Sequence, residues 1–363
     1  ANVFGLKGVR LMADEAQKQP IHVYVQVPSC VPSAPGMETS GGEITPADVA
    51  EALTWEGVIG LGEMMNYPGV IYDDPDVLRK LAAAMMTGKP VDGHAPGLTG
   101  RQLVKYVAAG ISSDHECTSL AEAKEKISLG MKILIREGSA ARNLDELKPL
   151  FNYDPGMLML CSDDLHPEML VKGHIDRLVG KLISEGYDVF DVIRSCTINP
   201  AIHYGLDAGL LKPGDPADFI ITHDLRSMKV RQTWIDGTKV YEDGRVLFSY
   251  RSYGTVNNFK SSKIKSEDIL IRSAASNLRV IEAYDGDLTT GEIIYPVKKG
   301  VELVPELESD ILKIVVKDRY RDLKPATAFI KGFGLKCGAF ASSVAHDSHN
   351  IICIGTNDDD IVS

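Results

Sequence analysis

No apolar run in this 363-residue chain approaches the length of a membrane span, so it offers no candidate for a spanning helix. The six cysteines (Cys30, Cys117, Cys161, Cys196, Cys337, Cys353) form no C-x-x-C pair. That spacing supplies neither a thiolate zinc site nor a disulfide framework, and it predicts reduced thiols in a cytoplasmic protein. Positive charge is in deficit: 39 Lys and Arg against 50 Asp and Glu leave a net charge of −11. An acidic surface argues against nucleic acid or an anionic membrane as the main partner, and it leaves a small neutral ligand open. There is no internal repeat and no low-complexity tract. What is present, 44% hydrophobic and 25% charged residues, is ordinary for a globular protein, and the length allows two or three domains with a large core.

From Ile21 to about Leu206, short apolar runs alternate with helical stretches. The runs are Ile21–Val27, Gly57–Gly62, Pro90–Gly93, Gly110–Asp114, Met131–Arg136 and Met157–Cys161. Thr45-Pro46-Ala47-Asp48 reads as a helix cap with a proline and an acid in the first turn. Thr99-x-x-Gln102 and Ser119-x-x-Glu122 read as capping boxes, with Gly110 and Gly130 as the stops. Strand–helix alternation predicts parallel strands with right-handed crossovers. Six units are too few for a closed eight-stranded barrel, and an open sheet fits the pattern as well. The polar residues favour the barrel. Glu63, His94, His115 and Asp163 each stand where an apolar strand gives way to a loop. In a parallel barrel those ends gather on one face, where active sites are built.

After Gly209 short strands with Asp-Gly turns (Asp236-Gly237, Asp243-Gly244) predict a small antiparallel unit, and the basic stretch Phe259–Ser266 reads as a linker. A third region then shows a hairpin around Asp285-Gly286, a strand Ile311–Val316, and Gly338–Ala345 running into His346-Asp347-Ser348-His349. At the start, Val3, Leu6, Val9, Met12, Ala13 and Ala16 recur at helical spacing, as if a helix were already under way. The end stops at an acidic helix start. Both ends are therefore expected to interrupt a longer pattern, fraying being the alternative.

Several blocks resemble the adenine deaminases. They are Gly60-Leu61-Gly62-Glu63-Met64-Met65-Asn66-Tyr67-Pro68-Gly69, Asp92-Gly93-His94-Ala95-Pro96-Gly97, Asp114-His115-Glu116, Ile135-Arg136-Glu137-Gly138-Ser139, Cys161-Ser162-Asp163-Asp164 and Ser343-Val344-Ala345-His346-Asp347-Ser348-His349-Asn350. The resemblance runs over essentially the whole chain. It implies an α/β fold: a (β/α)8 TIM-barrel amidohydrolase core, of which strands three to eight are present, with a small β domain and a C-terminal α+β domain. The expected boundaries are 1–206 for the barrel, 207–258 for the β domain and 267–363 for the C-terminal domain. In this family the first barrel strand carries a His-x-His pair, and none of the nine histidines here forms one. Leu165 also stands where the family has a basic residue.

The resemblance further implies hydrolysis of adenine to hypoxanthine and ammonia at a two-metal centre. Glu63 would bridge the ions, and His94 and His115 would be imidazole ligands. Asp163 would contact one metal and carry the proton as the catalytic group. Glu116 and Asp164 would orient ligands, and Ser139, Arg136 or Arg142 would touch the purine or shape their loop. His346 and His349, spaced i, i+3, read as ligand-like or as surface loop residues. His22, His203 and His223 read as structural. Imidazole and carboxylate donors without thiolate suit manganese, iron or zinc, and the resemblance selects manganese. Adenine is the expected partner, with homo-oligomeric assembly left open. One competing reading is another cyclic amidohydrolase, whose barrels often use a carboxylated lysine as the bridge; no lysine lies in Gly57–Gly69. The other is a catalytically incomplete fragment that only associates with other chains.

Overall fold

Thr45 opens the first crossover helix as the sequence predicts. Its hydroxyl accepts from the Asp48 N–H, and the Asp48 carboxylate accepts from the Thr45 N–H at 2.8 Å. The computed structural model that contains it describes residues 1–249, 256–287 and 289–363. The chain forms two units, one of Leu6–Cys30 with Ile44–Gly254 and the other of Ala1–Gly5 with Val31–Glu43 and Thr255–Ser363.

The larger unit holds six strands whose neighbours run parallel and in chain order. They are β1 Val25–Pro28, β2 Val58–Met64, β3 Val91–Gly93, β4 Ser113–Asp114, β5 Lys132–Arg136 and β6 Leu158–Cys161. A single parallel bridge, Val91 to Ile111, joins β3 to β4. Helices Pro46–Ala52, Pro75–Thr87, Gly100–Ala108 and Leu120–Ser128 fill the connections. Their apolar stripes face the strands: Leu81 and Ala84, Leu103 and Tyr106, and Ala123 and Ile127 are all buried. On the strands, Leu61, Ile133, Ile135 and Leu158 are fully buried, each contributing about 1.5–3 kcal/mol of transfer free energy. Three helices after β6, Ile175–Ser184, Val189–Arg194 and Ile198–Tyr204, complete this layer. Leu178, Val179, Leu182 and Val192 pack into the same core as β5 and β6.

Several local expectations shift. Strand β1 begins at Val25 rather than Ile21, and Ile21 and Val23 are exposed. The first helix is Gly5–Ala16, entered through a turn in which Ala1 O accepts from Phe4 N and Gly5 N. Thr99 makes no side-chain cap; Glu125 from the next helix accepts from the Gly100 N–H at 2.7 Å instead. Ser119 does cap its helix, but the Glu122 carboxylate turns to the Thr118 N–H at 3.0 Å. Gly110 and Gly130 follow their helices at positive φ, as expected of left-handed stops.

A four-stranded antiparallel sheet belongs to the same unit: β7 Phe219–Thr222, β8 Val230–Ile235, β9 Thr238–Glu242 and β10 Arg245–Val246. Asp236-Gly237 and Asp243-Gly244 have positive φ at both residues, the I′ geometry that the right-handed strand twist favours. The expected β domain 207–258 includes residues 250–255, which lie outside the described residues.

The other unit is built on a six-stranded sheet of order β12-β11-β14-β13-β16-β15. Its strands are β11 Asn277–Ala283, β12 Thr290–Pro296, β13 Leu312–Lys317, β14 Ala326–Lys331, β15 Ala339–Ala345 and β16 Asn350–Gly355. All neighbours are antiparallel except β11 and β14. The predicted hairpin at Asp285-Gly286 joins β11 to β12; Leu288, within it, lies outside the described residues. Val280, Phe329, Leu303 and Ile311 fill one core, and Leu312, Ile314, Ile330 and Ile354 another. Helical structure here is short, Ser266–Ile269 and Asp358–Val362. Among the described residues of both units, no helix is long and apolar enough to cross a membrane.

Candidate metal centre

The ends of β2 to β6 converge on one cluster. Glu63 is the penultimate residue of β2, His94 follows β3, His115 and Glu116 follow β4, Arg136 ends β5 and Asp163 lies just beyond β6. Close approach of β3 and β4 brings the histidines together. A side chain at Gly93 would meet Ser113 O at 2.3 Å, so only glycine fits there. The two imidazoles then stand edge to face, with ring centroids 5.1 Å apart.

Both rings address one oxygen. Glu63 Oε2 lies 3.0 Å from His94 Nδ1 and 3.1 Å from His115 Nε2. Glu116 Oε1 stands behind at 3.6 and 3.4 Å from the same nitrogens. Burial would raise the Glu63 pKa, but hydrogen bonds and charge from His115 and His94 outweigh it and hold the carboxyl well below its ordinary range. Burial would likewise depress His115, and contact with Glu63, aided by Glu116 and Asp114, raises it instead. Arg136 forks onto Glu116, with Nη2 2.8 Å from Oε2 and Nη1 on Oε1, and Nη1 also reaches Asp163 Oδ2. The cluster opens on a cavity of about 280 Å³ lined by Glu63, His115, Asp163, Asp92, Gln26 and Cys161 among others. Burial beside Asp163 pushes the Cys161 thiol up to about 12, so it is a neutral wall of the cavity.

Within this cluster two sets of three donors satisfy the spacing of metal ligands, Glu63 with His94 and His115, and His115 with Glu116 and Asp163. Imidazole nitrogen and carboxylate oxygen at such separations fit a divalent cation. Of the residues singled out from sequence, the structure thus groups Glu63, His94, His115, Glu116 and Asp163, with Arg136 bonded to the last two. Ser139 is not among them: its hydroxyl accepts from the His166 N–H at 2.8 Å and fixes the loop. The Asp164 carbonyl accepts from the Ser139 N–H at 2.9 Å in that same loop. His346 and His349 belong to the other unit, beyond the end of β15, where His346 Nδ1 lies 2.6 Å from Asp347 Oδ1. His22 Nε2 pairs with Asp218 Oδ2 at 3.1 Å, and the Asp218 carboxylate also accepts from the Gly209 and Asp236 N–H groups. That is a lock on a turn.

Other supports were not read from sequence. Tyr106 is buried, donates to Met64 O at 2.8 Å and accepts from the His94 N–H at 3.1 Å, tying the end of β2 to the end of β3. Asn143 donates to His115 O and Cys117 O and accepts from the Arg136 N–H. Asp92 accepts from Ser113 Oγ at 2.7 Å and Tyr204 OH at 2.9 Å. Burial opposes its ionisation, yet His203, whose Nε2 lies 3.7 Å away, together with Ser113, Gln26 and Tyr204 lowers its pKa. Asp92 stands two residues before His94, on the same strand face, and that period-two relation was the signal available for it.

Residues 1–240 match the amidohydrolase family, and residues 288–363 match the adenine deaminase C-terminal domain. An adenine deaminase of Salinibacter ruber is 48% identical over 99% of this chain and 66% of its own length. One of Methanosarcina mazei is 48% identical over 100% of this chain and 68% of its own. One of Borreliella burgdorferi is 40% identical, with 99% and 67% covered. The chain thus spans about two thirds of the length of these relatives. Among solved structures, a β-aspartyl dipeptidase of Fervidobacterium islandicum shares the fold, with a TM-score of 0.51, 14% identity, and 68% of this chain and 74% of that one covered. By these matches the chain belongs to the amidohydrolase family, in the group of the adenine deaminases.

Proposed function

We propose that the protein carrying this chain converts adenine and water to hypoxanthine and ammonia at a centre of two divalent metal ions, on strands three to eight of a (β/α)8 barrel. The observation that carries this reading is the single carboxylate oxygen of Glu63 placed 3.0 and 3.1 Å from two imidazole nitrogens beside the Asp163 cavity. Glu63 would bridge the ions, and His94, His115 and Asp163 would supply ligands. Manganese is our assignment for the metal, with iron and zinc compatible with the same donors. When bound, such ions bring the pKa of water toward neutrality and so make a nucleophile available.

The remaining work falls to the chain. Asp163 takes the proton from the attacking water and delivers it to the purine, as a positioned carboxylate does in general acid–base catalysis. The C6–O bond forms, the C6–N bond breaks, and the amino group, taking up the second proton of the water, leaves as ammonia. Arg136 keeps Asp163 and Glu116 in place through its fork. Glu116, behind both imidazoles, orients them. Asp164 and Ser139 shape the loop beside Asp163, and a role for His346 and His349 rests on their i, i+3 spacing and on the resemblance. The reading includes a cytoplasmic setting and no nucleic-acid or membrane partner, with homo-oligomeric assembly to be measured.

The test is turnover of adenine by the manganese-loaded full-length protein in 18O-water. The expected result is one labelled oxygen per hypoxanthine and one ammonia per adenine consumed. Ring opening of dihydroorotate or hydantoin, with no ammonia from adenine, would replace this reading with that of a cyclic amide hydrolase.

A further inference from the structure

Helix Leu120–Ser128 carries a lysine whose side chain has no solvent exposure. Lys126 Nζ donates to three acceptors: Ala95 O at 2.7 Å, Asp114 Oδ2 at 2.6 Å and Glu122 Oε1 at 2.6 Å. Ala95 directly follows His94, and Asp114 directly precedes His115. The two carboxylates extend the same connection. Asp114 Oδ1 accepts from the Ala95 N–H at 3.0 Å. Glu122 accepts from the Gly97 N–H at 2.9 Å and from the Thr118 N–H at 3.0 Å. The turn His94–Gly97 and the turn His115–Thr118 are therefore pinned to one buried cation and its two counterions. No polar atom of Lys126, Asp114 or Glu122 is buried without a partner.

Asp114, Cys117 and Glu122 have the spacing of a metal site, but the Lys126 ammonium already bonds both carboxylates and is the cation of that cluster. A network of this kind is a poor device for stability alone. Desolvating its charges costs as much as the pairing returns, and apolar side chains of the same volume fill such a space as well. What the charges add is direction. Backbone groups on two separate turns are held by bonds of fixed geometry, and those turns present His94 and His115 to the same oxygen of Glu63.

We propose that Lys126 is a positioning residue for the metal centre, holding the His94 and His115 turns in register so that both imidazoles address Glu63. This rests on the reading of Glu63, His94 and His115 as metal ligands. Two variants test it in the full-length protein. Lys126→Met removes the cation and keeps the apolar stem. Lys126→Met with Asp114→Asn also removes one of the two charges that the first variant strands, while the asparagine oxygen still accepts from Ala95; it protects the test against misfolding of the single variant. Circular dichroism establishes the fold, and titration of metal-free protein with Mn2+, read by the electron paramagnetic resonance of free Mn2+, gives the affinity. Glu63→Gln is titrated alongside. The expected result is a folded variant whose Mn2+ affinity is weaker by about 10- to 100-fold, with kcat lowered and KM for adenine nearly unchanged. A folded variant that melts earlier but binds Mn2+ as tightly as the unaltered protein, while Glu63→Gln binds it weakly, overturns the positioning role alone. Equal Mn2+ affinity in the unaltered protein and Glu63→Gln removes the metal assignment, and the proposal with it.

Discussion

Asp163→Asn in the full-length protein is expected to keep its fold and most of its metal while kcat for adenine falls by about 10²- to 10⁴-fold, the span general acid–base catalysis supplies. The substitution is nearly isosteric, and Asp163 sits at φ +52°, a left-handed conformation that asparagine adopts as readily as aspartate. The backbone after β6 is therefore undisturbed. What is lost, on the proposed function, is the group that takes a proton from water and passes it to the purine. Arg136 Nη1, which bonds Asp163 Oδ2, keeps an acceptor in the amide oxygen, so the loop remains anchored. Steady-state turnover beside metal analysis reads both quantities. A kcat near that of the unaltered protein would take the proton transfer away from Asp163.

The second large effect belongs to Arg136. Its side chain is 8% exposed and that of Glu116 11%, so Arg136→Met leaves the Glu116 carboxylate buried beside Glu63 with its main counter-charge gone. Breaking one side of a buried pair costs about 3–5 kcal/mol. The loss is expected in urea unfolding of the metal-free protein, together with a fall in turnover, because Asp163 loses its anchor. Adding Glu116→Gln removes the stranded charge and is expected to return a large part of the stability but not the turnover. Two independent losses that simply add would show that Arg136 and Glu116 are not coupled, contrary to their geometry.

The strands and the centre were legible for the same reason. A buried parallel strand is a short apolar run, and a polar residue at its end marks the face where loops gather. Glu63, His94, His115 and Asp163 each had that position, and the structure brings all four to one cluster. Arg136 was less legible because it is the last residue of β5 rather than part of the loop; a one-residue difference decides whether a side chain faces the cluster. Tyr106, Lys126 and Asn143 were not legible. Apart from Glu122, 4 residues from Lys126, and Arg136, 7 residues from Asn143, their partners lie 12 to 42 residues away in the chain, so packing of helices on strands, more than local sequence, sets them. The same holds for Thr99, whose expected capping role passes to Glu125 of the next helix. In the other unit the Asp-Gly hairpin announced itself, whereas the parallel pairing of β11 with β14 joins strands that are not consecutive and leaves no local mark.

The measurement that most directly tests the centre is metal content and adenine turnover of the full-length protein beside its Glu63→Gln variant, both loaded with manganese under the same conditions. One oxygen of Glu63 faces two imidazoles, and an amide offers a far weaker bridge than a carboxylate. The account predicts about two ions per chain with steady ammonia release in the unaltered protein, following the two-metal arrangement, and a folded variant that has lost bound metal and turnover together. Two tightly held ions in Glu63→Gln, with ammonia still released from adenine, would contradict it.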